Sequence, residues 1–171
     1  MTRRSFRVIL IKPSRYDDRG YVVQWRRSTI PSNSLASIHG LVSDCAAAQA
    51  LGPDVAIDVE AWDECNTVID VEAAVGRIRA AGGGFVGLVG VQSNQFPRAL
   101  DLGRRFRAAG IPVVVGGFHV SGCLSMLPVL PPRSRRPSIS GSSCSPAKAR
   151  GEWPRCCATS TATRRGRSTT I

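Results

Sequence analysis

The residues that could do chemistry in this chain stand at the ends of apolar runs. Lys12 closes the run Phe6–Ile11, and Ser93-Asn94 follows the run Phe85–Val91. Gly116-Gly117 follows Ile111–Val115, with His119 just beyond. Two glycines at a strand end either make a tight turn or clear a cleft floor of side chains. A cleared floor lets a large, flat ligand approach the backbone. Ser93 and Asn94 either line the same cleft or cap the helix that follows. His119 is either a polar wall of that cleft or a loop residue bonded to backbone. These are binding chemistries, and no residue is read as catalytic or as a metal ligand.

The familiar catalytic and phosphate-binding signatures are missing. There is no G-x-x-x-x-G-K-[ST] loop and no G-x-S-x-G elbow. Gly82-Gly83-Gly84-Phe85-Val86-Gly87 matches G-x-G-x-x-G but follows a helical stretch and opens a strand. A dinucleotide site needs the reverse order, so that helix N–H groups meet the pyrophosphate. The glycines are read as a helix cap. The six cysteines form no C-x-x-C pair and no zinc-type set with histidine. Cys45 reads as a small core residue, and His39 as structural.

Alternating elements must position the candidates. Residues 6–11 form a strand, followed by a long polar loop from Ser14 to Ile30. Loops of that length are usually functional. Pro31-Ser32-Asn33-Ser34 starts a helix, with Leu35, Ile38, Leu41, Val42 and Cys45 as its inner stripe. Val55–Val59 is a second strand. Asp70 caps a second helix with Val71, Ala74, Val75 and Ile78 inward. Phe85–Val91 is the third strand, and Pro97 opens a third helix with Leu100, Leu102, Phe106 and Ala109. Ile111–Val115 is the fourth strand. Nearly continuous apolar strands between helices imply a parallel sheet covered on both faces. The expected fold is α/β, a flavodoxin-like doubly wound sheet, incomplete at its C-terminal edge and followed by a disordered tail. Ligands of such sheets bind outside the carboxyl ends of the strands. Those ends are Lys12–Tyr21, Trp62–Asn66, Gln92–Gln95 and Gly116–Ser121.

The charge of +11 is unevenly spread, with +3 over residues 1–132 and +8 over residues 133–171. From Arg133 on there is no Leu, Val, Phe or Asp. Such a segment cannot bury enough apolar surface to order itself. It reads as a disordered tail or, preferably, as an out-of-frame translation of a GC-rich gene. Its arginines have no helical period and few aromatic neighbours, which argues against nucleic acid as a partner. The basic start Met1–Phe6 precedes an apolar run too short for a signal peptide or membrane span. The expected location is the cytoplasm, with no membrane partner.

Ile11-Lys12-Pro13-Ser14-Arg15-Tyr16-Asp17-Asp18-Arg19-Gly20-Tyr21, Trp25-Arg26 and Ile30–Ala36 resemble the opening of B12-binding-domain radical SAM proteins. Val113–Gly122 resembles the same family's fourth strand and turn, and the match covers about residues 5–132. The resemblance implies cobalamin held across the strand ends, with its nucleotide tail reaching into the domain. Lys12, Ser93, Asn94, Gly116, Gly117 and His119 are the cofactor-binding candidates it suggests. Ser93 would take the place of the family serine, and Gly116 and Gly117 would flank the tail. The family's S-x-L becomes Ser93-Asn94-Gln95. The D-x-H-x-x-G motif of methionine-synthase-type domains is replaced by Asp17-Asp18-Arg19-Gly20, without a cobalt-ligating histidine. The C-x-x-x-C-x-x-C that would hold a [4Fe–4S] cluster and S-adenosylmethionine is absent from this sequence. The expectation is a cobalamin module without independent catalysis. A flavodoxin-like domain for another small molecule or nucleotide, and a nucleic-acid binder acting through its tail, are the alternatives.

Overall fold

A computed structural model describes residues 4–25 and 30–126. Arg26, the expected boundary at residue 132, the tail from residue 133, and Cys144, Cys156 and Cys157 lie outside the described residues. The elements run β1 (Arg4–Lys12), α1 (Asn33–Ala47), β2 (Val55–Asp63), α2 (Val71–Ala80), β3 (Gly84–Leu88), α3 (Phe96–Ala108), β4 (Val113–Val115) and α4 (Phe118–Met126). The strands pair in the order β2-β1-β3-β4, every pair parallel. This is the flavodoxin-like arrangement, with β1 and β3 central among the described strands.

Strand alternation divides the core. Ile9, Ile11, Val86, Leu88, Val113 and Val115 face α2 and α3, where Ile78, Leu102 and Phe106 are buried against them. Val8, Leu10 and Val89 face α1, meeting Leu35 and Val42. Each fully buried large apolar side chain contributes about 1.5–3 kcal/mol, so the first, larger cluster dominates the apolar driving force.

The helix starts follow local chemistry. The Ser32 hydroxyl accepts a hydrogen bond from the Leu35 amide at 3.3 Å, and Asp70 accepts one from the Ala73 amide at 3.0 Å. All four expected inward residues of α2 are buried. Gly82, at φ +83°, ends α2 in the left-handed conformation, which confirms a cap and not a dinucleotide loop. On α1 the stripe is narrower than expected. Leu35 and Val42 are buried and Ile38 is half-buried, but Leu41 lies on the flank and is exposed.

Other boundaries also move. β2 runs on to Asp63 because it stays in register with β1 up to Lys12. β3 ends at Leu88, four residues before Gln92. α4 is an addition to the sequence reading, which placed Phe118 and His119 in a turn. It has no buried residue and no apolar stripe, so periodicity could not reveal it. No helix among the described residues is long and apolar enough to cross a membrane.

The β1–β3 contact is close at one point. A Cβ added at Gly84 would stand 1.9 Å from the Arg7 carbonyl oxygen, and backbone there cannot give way cheaply. Gly84→Ala should destabilise the domain by about 3 kcal/mol, the upper end for overpacking, as measured by urea unfolding. A loss under about 0.5 kcal/mol, the size of an ordinary surface substitution, would show that β1 and β3 are not so closely seated.

Candidate functional site

All four strands point the same way, so their carboxyl ends share one edge of the sheet. The long loop after β1 folds back over that edge. Its tip is a tight turn: the Asp17 carboxylate accepts hydrogen bonds from the amides of Arg19 at 2.9 Å and Tyr21 at 2.8 Å. An antiparallel bridge pairs Tyr16 with Val22. Asp17 is therefore engaged in shaping the turn.

A buried ion pair fixes this loop to the rest of the domain. Glu64, directly after β2, is only 1% exposed. Arg98 of α3 grips it bidentately, with Nη2 at 2.6 Å from Oε1 and Nε at 3.0 and 3.2 Å from the two oxygens. Oε2 also accepts the Ser14 amide at 3.0 Å. The Tyr16 hydroxyl donates to Asp101 at 2.9 Å and accepts from Arg98 at 3.3 Å. Burial pulls the Arg98 pKa down, but the hydrogen bonds that it donates to Glu64 and Tyr16, with their charge, outweigh this and leave the guanidinium above its ordinary value. The network joins the loop after β1, the residue after β2 and α3 at the carboxyl edge of the sheet.

Lys12 also points into a neighbouring pair. Its Nζ lies 3.3 Å from Asp63, its register partner on β2, and 3.8 Å from the Cys65 sulfur. Burial, and then the hydrogen bond and charge of Asp63, push the Cys65 thiol up despite the nearby ammonium. The ammonium has a protein carboxylate in contact, so a ligand would share it.

Ser93 and His119 come together. The Ser93 hydroxyl is 3.1 Å from His119 Nδ1. The imidazole also packs on Phe96, ring centroids 4.2 Å apart, and its Nε2 lies 3.8 Å from the Cys123 sulfur. The His119 amide donates to the Val91 carbonyl at 3.1 Å, and the Val91 amide donates to the Gly116 carbonyl at 3.0 Å. Loop β3–α3 and the start of α4 are thereby laced together. Neither Ser93 nor Asn94 caps α3. Gln95 is the cap residue, and it makes no side-chain cap bond; its side chain instead accepts the Gln92 amide. Asn94 is exposed and its side chain makes no hydrogen bond among the described residues.

The adjacent glycines differ. A Cβ at Gly117, whose φ is +141°, would stand 2.2 Å from the Val91 nitrogen. The chain itself fills that space, so glycine at 117 serves the turn. A Cβ at Gly116 would meet nothing within 4 Å. Of the two, Gly116 is the glycine whose bare backbone faces open room.

No family model, curated protein or solved structure matches the chain. The site's own geometry is what its function can be argued from. Of the sequence candidates, Ser93, Gly116, Gly117 and His119 form one group; Asn94 stands beside it on the surface, and Lys12 belongs to the Asp63 pair. Sequence reasoning missed Cys123 and the Glu64–Arg98 pair. Cys123 is four residues after His119, a helical neighbour spacing that has meaning only once α4 is known.

Removing one member of a buried ion pair strands the other charge, at about 3–5 kcal/mol. Arg98→Met should cost that much in urea unfolding. Adding Glu64→Gln should restore most of it, because the amide is uncharged and can still accept from Ser14. A double variant no more stable than the single one would show that the pair is not a stabilising unit.

Proposed function

We propose that the domain is a cobalamin-binding module of the kind that precedes radical SAM catalytic domains. The observation that carries the reading is the open backbone at Gly116 beside the Ser93–His119 pair, at the carboxyl edge of a flavodoxin-like sheet. Ligands of this sheet type bind at that edge. The resemblance of residues 11–36 and 113–122 to that family supplies the identity of the ligand.

The residues present fit such a group in part. Gly116 leaves room for its tail. Ser93 offers a hydroxyl, and His119 is held ready beside it. Asn94 has a free amide at the rim. Lys12 is engaged by Asp63 and would act as a charged wall. Cobalamin, when bound, carries a methyl group or assists a radical rearrangement. The chain's own part is to hold it and to shape the cleft; no catalytic residue is assigned.

Hydroxocobalamin mixed with the folded chain should co-elute in gel filtration and change its visible absorbance. Gly116→Leu should keep the far-ultraviolet circular dichroism of the parent but lose co-elution, because a Cβ at this position meets no protein atom within 4 Å and the longer side chain would stand where the tail is proposed to lie. Ser93→Ala should weaken binding about two- to tenfold, the worth of one ordinary hydrogen bond. A folded parent that retains no hydroxocobalamin would sink the reading and favour a different small molecule at this edge. Retention undiminished in Gly116→Leu would place the ligand elsewhere.

A further inference from the structure

We propose that Cys123 is a peroxide-reactive thiol, with His119 as its base and with Ser93 and Phe96 holding the imidazole in place. The proposal does not depend on cobalamin. It rests on the arrangement Ser93 Oγ to His119 Nδ1 at 3.1 Å and His119 Nε2 to Cys123 Sγ at 3.8 Å. A nucleophile, a base in contact with it, and a third group that orients the base make up the arrangement that activates thiols and hydroxyls. Packing against Phe96 restrains the ring further.

The two ring nitrogens divide the work. In the tautomer that the proposal requires, Nδ1 carries the proton and donates it toward the Ser93 hydroxyl, which leaves Nε2 free to accept the thiol proton. The product is an imidazolium beside a thiolate, the reactive form of cysteine. Cys123 is half-buried near the surface of α4, within reach of a small oxidant. The thiolate sulfur attacks one oxygen of hydrogen peroxide. An S–O bond forms as the O–O bond breaks, the sulfur is oxidised by two electrons to a sulfenic acid, and the peroxide is reduced. The leaving hydroxide takes the imidazolium proton and departs as water.

Two other described thiols serve as controls. Cys45 on α1 is also half-buried, and its sulfur has no hydrogen-bond partner among the described residues. Cys65 touches Lys12 and Ser14, but burial and Asp63 push its thiol up.

The test uses the reduced full chain without cobalamin. Each cysteine's alkylation by iodoacetamide is followed by mass spectrometry over a range of pH, and sulfenic acid formed by dilute hydrogen peroxide is trapped with a cyclic diketone. Cys123 should alkylate roughly tenfold or more faster than Cys45 near neutral pH. It should also be the first of the three described thiols to acquire the trap. His119→Gln should remove the advantage at Cys123 while Cys45 keeps its parental rate, which reports an intact fold. Ser93→Ala should lower the Cys123 alkylation rate toward that of Cys45. Equal rates for Cys123 and Cys45 in the parent protein would overturn the proposal without any variant, as would an unchanged Cys123 rate in folded His119→Gln. Because no step uses cobalamin, failure to retain hydroxocobalamin leaves this result unaffected.

Discussion

The carboxylate of Glu64 is the fixed point on which the carboxyl edge of the sheet depends. A charge 1% exposed must be paired and hydrogen-bonded, because burying it alone costs far more than folding supplies. Arg98 provides the pairing with its planar fork, which matches a carboxylate as the ammonium of lysine cannot. The Ser14 amide occupies part of what remains. Three segments distant in sequence thus have their places set by one group. The loop after β1 is held down at Ser14 and Tyr16, the end of β2 is held at Glu64, and α3 is held at Arg98. The rim of the edge is as rigid as this network, although the turn at its tip stands in solvent.

The opposite end of the edge is organised by backbone. Val91 donates to the Gly116 carbonyl and accepts from the His119 amide, which ties the loop before α3 to the start of α4. The tie requires the two chains to touch, and Gly117 is the residue that lets them. Ser93 and His119 meet because the backbones beneath them are already joined. β4 itself is three residues long, with Val114 48% exposed, and α4 leaves Phe118 and Met126 each 81% exposed. Among the described strands β4 is an edge, and a short edge strand presents few unpaired backbone groups, which limits the hazard of edge-to-edge pairing. Apolar side chains on the same edge work the other way.

Much of this was legible in the sequence. Ser32 and Asp70 announced their helices because a side-chain oxygen placed just before an apolar stripe has one effective use, satisfying a free helix N–H. The strands were legible because burial on both faces leaves unbroken runs of apolar residues. The Glu64–Arg98 pair was not, since its members lie 34 residues apart and are of types usually found in water. Nothing local distinguishes a buried glutamate from an exposed one. α4 was hidden for a related reason: its sequence has Gly122 and two serines and no fully buried residue, so it carries no amphipathic signal. With α4 hidden, the relation between His119 and Cys123 was hidden as well.

The adjacent glycines show why a residue type cannot be turned directly into a role. Both lack a side chain, and the sequence treats them as a pair that clears a cleft. In the fold, a side chain at 117 would strike Val91, whereas one at 116 would enter open space. Glycine at 117 is thus fully explained by the protein's own packing and says nothing about a ligand. Glycine at 116 is not required by packing, and its φ does not lie in the left-handed region. Other residues could occupy that position without strain, as they could at Gly40, Gly76 and Gly122, so the open room there permits a ligand without requiring one. Of the two, Gly116 is therefore the position at which a ligand could meet bare backbone.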